Sequence, residues 1–354
     1  MSQITLKQIA ERAGTSVGTV DRALNNRGRI SSSTKEKIIK IADEMGYQPN
    51  KIASALSRSK CLRIAVIYAK YPAYFVDEFT AGLKKAIEHF THYKIEIITY
   101  RCNALDPQSQ IEVIKDIDFS NIDGFSLNAS GQELAPYINR ISDMGIPVVT
   151  FNSDIPGTKR LFHVGMDPFM AGRVSFNLMA KMLQGKGKIL AMPGFHSVLS
   201  HEERLTGFLD AARDYPNIQV IPGGEYKDRE DLAIDLVQKA LAEHQDIAGI
   251  YTVSSPGVIG AGKYLSQLPK ESRPIAVGYD TSQDMKQLME KDACTFVVYQ
   301  NPAAQIYYSI VYLVEYVLFG TLPSQELNFL PPQIVVRENI EYYLEGDNKF
   351  IFVN

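Results

Sequence analysis

The feature that most narrows the fold is a rhythm that starts after Cys61. Short apolar runs rich in branched residues alternate with amphipathic stretches. Residues 62–68 read as a buried strand, followed by a helix with Phe79, Leu83 and Ile87 inward. Residues 94–100 are the next strand and 111–117 the next helix. Residues 123–128 and 146–151 are two more strands. The rhythm restarts at 188–192 and runs through 218–221, 248–253, 274–279 and 295–299. Successive βα units build parallel sheets covered by helices. Two sets of them predict an α/β body of two lobes, an architectural duplication with no sequence repeat.

In open parallel sheets, ligands bind beyond the carboxyl ends of the strands. The residues just past each strand are therefore informative. Tyr71, Tyr74 and Phe75 come after the first. The others end at Asn128, at Asn152 and Asp154, at His196, at Ser254 and Ser255, at Asp280 and at Gln300, and Arg204 lies on the helix after His196. Amides and carboxylates bridge vicinal hydroxyls, and rings stack on C–H faces. The set suits a small polyhydroxylated ligand, whereas any one of these residues alone is an ordinary polar strand end.

The first sixty residues differ in kind. They hold 11 Lys+Arg against five Asp+Glu, a charge of +6, which leaves 26 against 35, or −9, for the remainder. A small basic head on an acidic body predicts that only the head meets nucleic acid. Leu6, Ile9, Ala10 and Ala13 recur at helical spacing and stop at Gly14. Val20, Ala23 and Leu24 then face inward on a second short helix, which is a helix-turn-helix pattern. Its outward set is Ser16, Val17, Gly18, Thr19 and Arg22. Arg22 can donate two hydrogen bonds to guanine. Thr5 to Gln8 reads as a capping box, and Ser16 as the cap of the second helix. Ser33 to Glu36 reads as another capping box, opening a helix with Ile38, Ile41, Ala42 and Met45 inward. Pro49 then stops the chain. Asn50 can cap a short piece, 51–57, with Ile52, Ala53 and Leu56 along one apolar edge. That piece is too short to hold alone in water. It is expected to fold against DNA beside a second copy, with Leu56 wedged into the minor groove.

The residues Thr5-Leu6, Ile9-Ala10, Ala13-Gly14-Thr15-Ser16 and Thr19 to Asn25, together with Gly46 to Asn50, Ala53 and Leu56, resemble the head and hinge of the lactose-repressor family of bacterial transcription regulators. The resemblance implies that Val17, Gly18 and Arg22 read bases and that Thr5, Ser16, Thr19 and Asn25 hold phosphates. Arg29 would reach a base or phosphate, and Asn50, Ala53 and Leu56 would join the DNA-contacting set. Asp21 stands where most members carry Ser; it would hold Arg22 or Arg29, or accept from a cytosine amino group. Residues 62–345 resemble, more loosely, the periplasmic sugar-binding-protein fold (type I) of that family, nearest its ribose-binding branch. This implies an effector site of Tyr74, Phe75, Asn128, Asn152, Arg204, Ser254, Asp280 and Gln300. Ser254 replaces a usual Asn and Asn152 an Asp, which suggests a different sugar, a sugar derivative or a polyol.

The expected organisation is a helix-turn-helix domain at 1–46, a hinge helix and linker at 47–60, and an effector-binding and dimerisation domain at 61–354. Its first lobe would take 61–166 and 300–328 and its second 167–299 and 329–345, with crossings near 166–168, 300–302 and 328–331. Cys61, Cys102 and Cys294 form no disulfide framework. The N-terminal residues Lys7, Glu11 and Arg12 interrupt any signal-peptide core, and residues 306–319 contain Glu315, so no membrane segment and a cytoplasmic site are expected. Neither a phosphate-binding loop nor a dinucleotide fingerprint occurs. His196, His201, Glu202 and Glu203 lack metal-ligand spacing. No nucleophile–base pair is evident. No cofactor or metal is expected. The reading is a non-enzymatic, homodimeric, sequence-specific DNA-binding regulator, a repressor of a carbohydrate-utilisation operon, controlled by a small sugar or polyol between its lobes. The alternative is a sugar-metabolism enzyme fused to a DNA-binding head.

Overall fold

A computed structural model describes residues 5–24, 30–45, 61–70, 73–103, 106–196 and 198–344, without the side chains of Asp43 and Tyr74. The chain forms two compact units, 1–59 and 60–354.

The first unit contains α1 (Leu6–Ala13), α2 (Val17–Leu24) and α3 (Ser32–Glu44). Thr5 Oγ1 accepts the Gln8 N–H at 3.4 Å while Gln8 Oε1 accepts the Thr5 N–H at 2.8 Å, a reciprocal cap. Gly14 ends α1 at φ 67, a left-handed turn that a side chain would strain. Lys37 Nζ donates to the Ala13 carbonyl at 3.0 Å and ties α3 to that end. Ile9, Ala10, Ala13, Val20, Ala23, Ile38 and Ala42 form the core. The cap of α3 is Ser31 rather than Ser33: Ser31 Oγ accepts the Thr34 N–H at 3.2 Å. Three consecutive serines can all cap, and the earliest one lengthens the helix.

The second unit holds two six-stranded sheets. The first contains β1 (Leu62–Ala69), β2 (Ile95–Cys102), β3 (Gly124–Leu127), β4 (Val148–Phe151), β5 (His163–Met166) and β11 (Leu327–Leu330), all parallel, in the order β2-β1-β3-β4-β5-β11. The second contains β6 (Gly187–Met192), β7 (Ile218–Pro222), β8 (Ile247–Thr252), β9 (Ile275–Tyr279), β10 (Phe296–Tyr299) and β12 (Gln333–Val335), in the order β7-β6-β8-β9-β10-β12. Only β12 runs antiparallel there. Five strands thus repeat one order in each lobe, with the first strand inside the second. That order places a topological switch beside β1 and beside β6. The strands β5, β11 and β12 are additions to the sequence reading; His163, Asn328 and Gln333 break up or open their short apolar runs.

Around the first sheet lie α4 (Ala73–His89), α5 (Pro107–Lys115), α6 (Ala135–Asp143) and, from further along, α12 (Pro302–Phe319). Around the second lie α7 (Pro168–Met182), α8 (Leu199–Ala212), α9 (Glu230–Glu243), α10 (Ser255–Leu265) and α11 (Gln283–Glu290). On α4 the inward residues are Phe79, Leu83 and Ala86, whereas Ile87 is 51% exposed. One residue of helical phase puts it outside the stripe that meets α12. The chain passes between sheets at Met166–Pro168, Tyr299–Pro302 and Leu330–Gln333. All three thiols are free. Among the described residues, no helix is long and apolar enough to cross a membrane.

Glycines set the closest packing. A Cβ on Gly207 of α8 would fall 2.0 Å from the Phe169 carbonyl oxygen, and one on Gly172 of α7 would fall 2.0 Å from that of Arg204. The two backbones touch because neither glycine has a side chain, and this contact seats Arg204. Phe208 beside it stacks on Tyr251, ring centroids 3.8 Å apart.

Candidate DNA-reading helix and ligand pocket

In the first unit, Ser16 caps α2: its Oγ accepts the Thr19 N–H at 3.2 Å and lies 2.9 Å from Thr19 Oγ1. Ser16, Val17, Gly18 and Arg22 are exposed and Thr19 is half-buried. Val17 keeps 45% of its surface open at the helix start, an apolar group available to a thymine methyl. A Cβ on Gly18 would meet nothing nearer than Ser16 Oγ at 3.9 Å, so packing does not demand a glycine there. Arg22 Nε donates to the Gly18 carbonyl at 3.0 Å, which lays the side chain along the outward face. Thr5 is exposed at the start of α1. Asn25, Arg29, Asn50, Ala53 and Leu56 lie outside the described residues.

In the second unit, a cavity of about 450 Å³ opens at the carboxyl ends of both sheets. Phe75, Asn128, Asn152, Arg204, Ser254, Asp280 and Gln300 all line it. Of the effector set, only the Tyr74 side chain lies outside the described residues. Asn152 and Asp280 come just after the fourth strand of their respective sheets and share a left-handed backbone, φ 64 and 66. Such a conformation costs free energy for a residue with a Cβ and persists where its surroundings enforce it. Here it turns both side chains off the strand ends.

A polar chain runs across the crossing. Asn128 Nδ2 donates to Asn152 Oδ1 at 3.0 Å. Asn152 Nδ2 donates to Gln300 Oε1 at 3.1 Å and to Gln305 Oε1 at 3.0 Å. Gln300 Oε1 also accepts from Arg204 Nη2 at 2.9 Å, and Gln300 Nε2 donates to Asp280 Oδ1 at 2.9 Å. Gln300 lies between β10 and α12 and so joins groups of both lobes. Arg204 further donates through Nη1 to the Val253 carbonyl at 2.8 Å, and its guanidinium lies 4.0 Å from the Tyr279 ring centroid. Its Nε is buried with no hydrogen-bond partner among the described residues. Burial pushes the Asp280 carboxyl up to about 7, against the pull of Arg204 and the Gln300 hydrogen bond.

Not every strand-end group joins the pocket. Asp154 turns into a bidentate pair with Arg160, both contacts 2.6 Å, and accepts from Thr150 at 2.6 Å. His196 pairs with Glu202 at the surface. Conversely, Asn103, His201, Lys227 and Asp228 line the cavity without having been singled out for it, whereas Ser255, one of the strand-end residues, lines it as expected. Lys227 and Asp228 sit five and six residues past β7, beyond the reach of a strand-end rule.

A family model for a periplasmic binding protein domain matches residues 64–321, and one for bacterial regulatory proteins of the lacI family matches residues 5–50. The chain belongs to the lacI family of bacterial regulatory proteins. This lacI-family chain is 30% identical over 148 residues to the sucrose operon repressor of Pediococcus pentosaceus, 42% of this chain and 43% of that one, so the match spans less than half of the relative. It is 22% identical over 262 residues to catabolite control protein A of Priestia megaterium, 73% of this chain and 76% of the relative. Among solved structures, GanP, a glucose-galactose binding protein from Geobacillus stearothermophilus, superimposes with a TM-score of 0.72 at 22% identity, over 80% of this chain and 99% of that one. That likeness establishes the two-lobed fold of the body. The relatives include HTH-type transcriptional regulators, among them IdnR of Escherichia coli, 24% identical over 262 residues.

Proposed function

We propose that this lacI-family regulator senses a small neutral sugar or polyol in the body cavity and converts its binding into a change of operator affinity at a carbohydrate operon. It acts as a cytoplasmic homodimer whose paired heads read two half-sites, and the ligand leaves chemically unchanged. The observation that carries the reading is the Gln300 hub, which accepts from Asn152 of one lobe and Arg204 of the other and donates to Asp280. A ligand that engages these amides and the carboxyl touches both lobes at the crossing. It can then favour one lobe arrangement over another, which is the only way a ligand shifts an equilibrium. The cavity has the size of a small-molecule site. In the head, Arg22 and Val17 supply base contacts and the Ser16 cap leaves a helix N-terminus for a phosphate. The sugar-operon relatives support the same ligand class.

A melting screen of the full chain against pentoses, hexoses and polyols tests this directly. Ligand that binds only the folded state raises the melting temperature. The reading expects one or a few members to do so, with no product formed on prolonged incubation. Turnover, or a screen in which none of these compounds acts, overturns it.

A further inference from the structure

Asp228 lies in the pocket wall on the loop between β7 and α9. Its Oδ1 accepts a hydrogen bond from Ser254 Oγ at 2.6 Å, and the buried Tyr226 hydroxyl lies 2.6 Å from the same Ser254 oxygen. A carboxylate only accepts, so Ser254 gives its one hydrogen to Asp228 and Tyr226 donates to Ser254. The chain of donors runs one way, and Ser254 has no hydrogen left for a ligand. Asp228 Oδ2 remains. Among the described residues, the cation-forming group that comes within 4.0 Å is His201 Nε2, too far for a hydrogen bond. His201 is itself fixed, since its Nδ1 accepts the Phe195 N–H at 3.1 Å. Gly194 makes room for both: a Cβ there would fall 2.6 Å from His201 Nδ1 and 2.9 Å from Asp228 Oδ1. Lys227 and Asp228 both hold left-handed backbone, φ 51 and 49, which costs free energy and turns the carboxylate inward. Beside them Ser255 Oγ, on a residue 1% exposed that also lines the cavity, has no hydrogen-bond partner among the described residues.

We propose that Asp228 is a specificity-determining residue of the ligand site, accepting hydroxyl donors of a neutral sugar or polyol at the second-lobe wall, with Ser254 and Tyr226 as positioning residues that aim it. The assignment rests on reading the cavity as a sugar site. It places acceptor capacity where Ser254 alone could offer little, and it sets a negative charge against acidic sugars.

The test is calorimetric titration of the full chain with D-ribose, D-arabinose, D-allose, D-glucose, myo-inositol and D-glucuronate. A charge-assisted hydrogen bond predicts that Asp228→Ala weakens the neutral binder by about tenfold or more. Asp228→Asn, which keeps size and the acceptor for Ser254, should lose roughly fivefold or more and should lower the discrimination against D-glucuronate. Ser254→Ala should lose affinity, and Ser254→Thr, which restores the hydroxyl, should regain it; a purely structural role would give parallel losses in ligand-free melting temperature instead. If Asp228→Ala fails to fold, the Asn variant decides. Unchanged affinity in a folded Asp228 variant overturns the assignment and leaves the sugar site standing. A wild-type chain that binds none of the neutral compounds overturns the sugar reading, and the assignment with it.

Discussion

Replacing Asp280 by Asn separates the cost of the pocket from its use. The carboxyl is 3% exposed, and burial pushes it up to about 7. A folded state that holds the proton more tightly than the unfolded chain is stabilised at low pH. That stability is intact below about 4 and is lost as pH rises through about 7. Each tenfold gap in acidity is worth about 1.4 kcal/mol, so Asp280 costs the ligand-free fold about 3 kcal/mol at pH 6, where the folded carboxyl must keep its proton, and about 4 kcal/mol at pH 8, where it must ionise while buried. Asn keeps the size and the Oδ1 acceptor for Gln300 Nε2 but cannot ionise. The Asn variant should therefore melt several degrees above wild type at pH 8, with the gap closing toward pH 5. Ligand affinity at pH 8 should fall in the same protein, because an acceptor that is charged at that pH has been lost. Denaturant titrations of ligand-free chain from pH 5 to 8.5 measure this. Parallel stability profiles for the two proteins would mean that Asp280 carries no ionisation cost in the fold and that its burial is not felt by the proton.

Arg22→Ala should cost roughly 1–3 kcal/mol at a single base-pair position and relax selection there, as read by binding to randomised duplexes; an equal loss on every sequence would contradict a base-reading role. Gly207→Ala pushes a methyl to within 2.0 Å of the Phe169 carbonyl. It should destabilise the body by about 1–3 kcal/mol or more and blunt the ligand-induced melting shift, because α8 carries Arg204. Gln300→Ala removes the acceptor shared by Asn152 and Arg204, and should weaken both ligand affinity and the effect of ligand on DNA binding.

Much of the body was legible because most of its strands are nearly continuous apolar runs, and because parallel sheets collect ligands at one end. Asn128, Asn152, Asp280 and Gln300 come directly from that rule, and all four line one cavity. Arg204 needed more, since its placement depends on the contact of α7 with α8 at Gly172 and Gly207. Asp228 was out of reach: it depends on two consecutive left-handed residues well past β7, a backbone choice that no period encodes. The Gly223-Gly224 pair just before was the one signal of an irregular loop. Asp154 carries the opposite lesson, for the right residue type at a strand end is claimed by Arg160. Ile87 and Ser33 were missed by small phase errors, where neighbouring residues of the same kind could serve equally well.

In the proposed function, the body cavity governs what the head does on DNA. Duplexes selected from a random pool by the full chain, then measured by fluorescence anisotropy with and without the sugar that raises its melting temperature, test it most directly. A coupling of about 1–3 kcal/mol, or roughly 5- to 150-fold in Kd, is expected, and it should vanish in Gln300→Ala. A specific duplex bound equally well with saturating ligand and without it, or no specific duplex selected at low salt, would contradict the account.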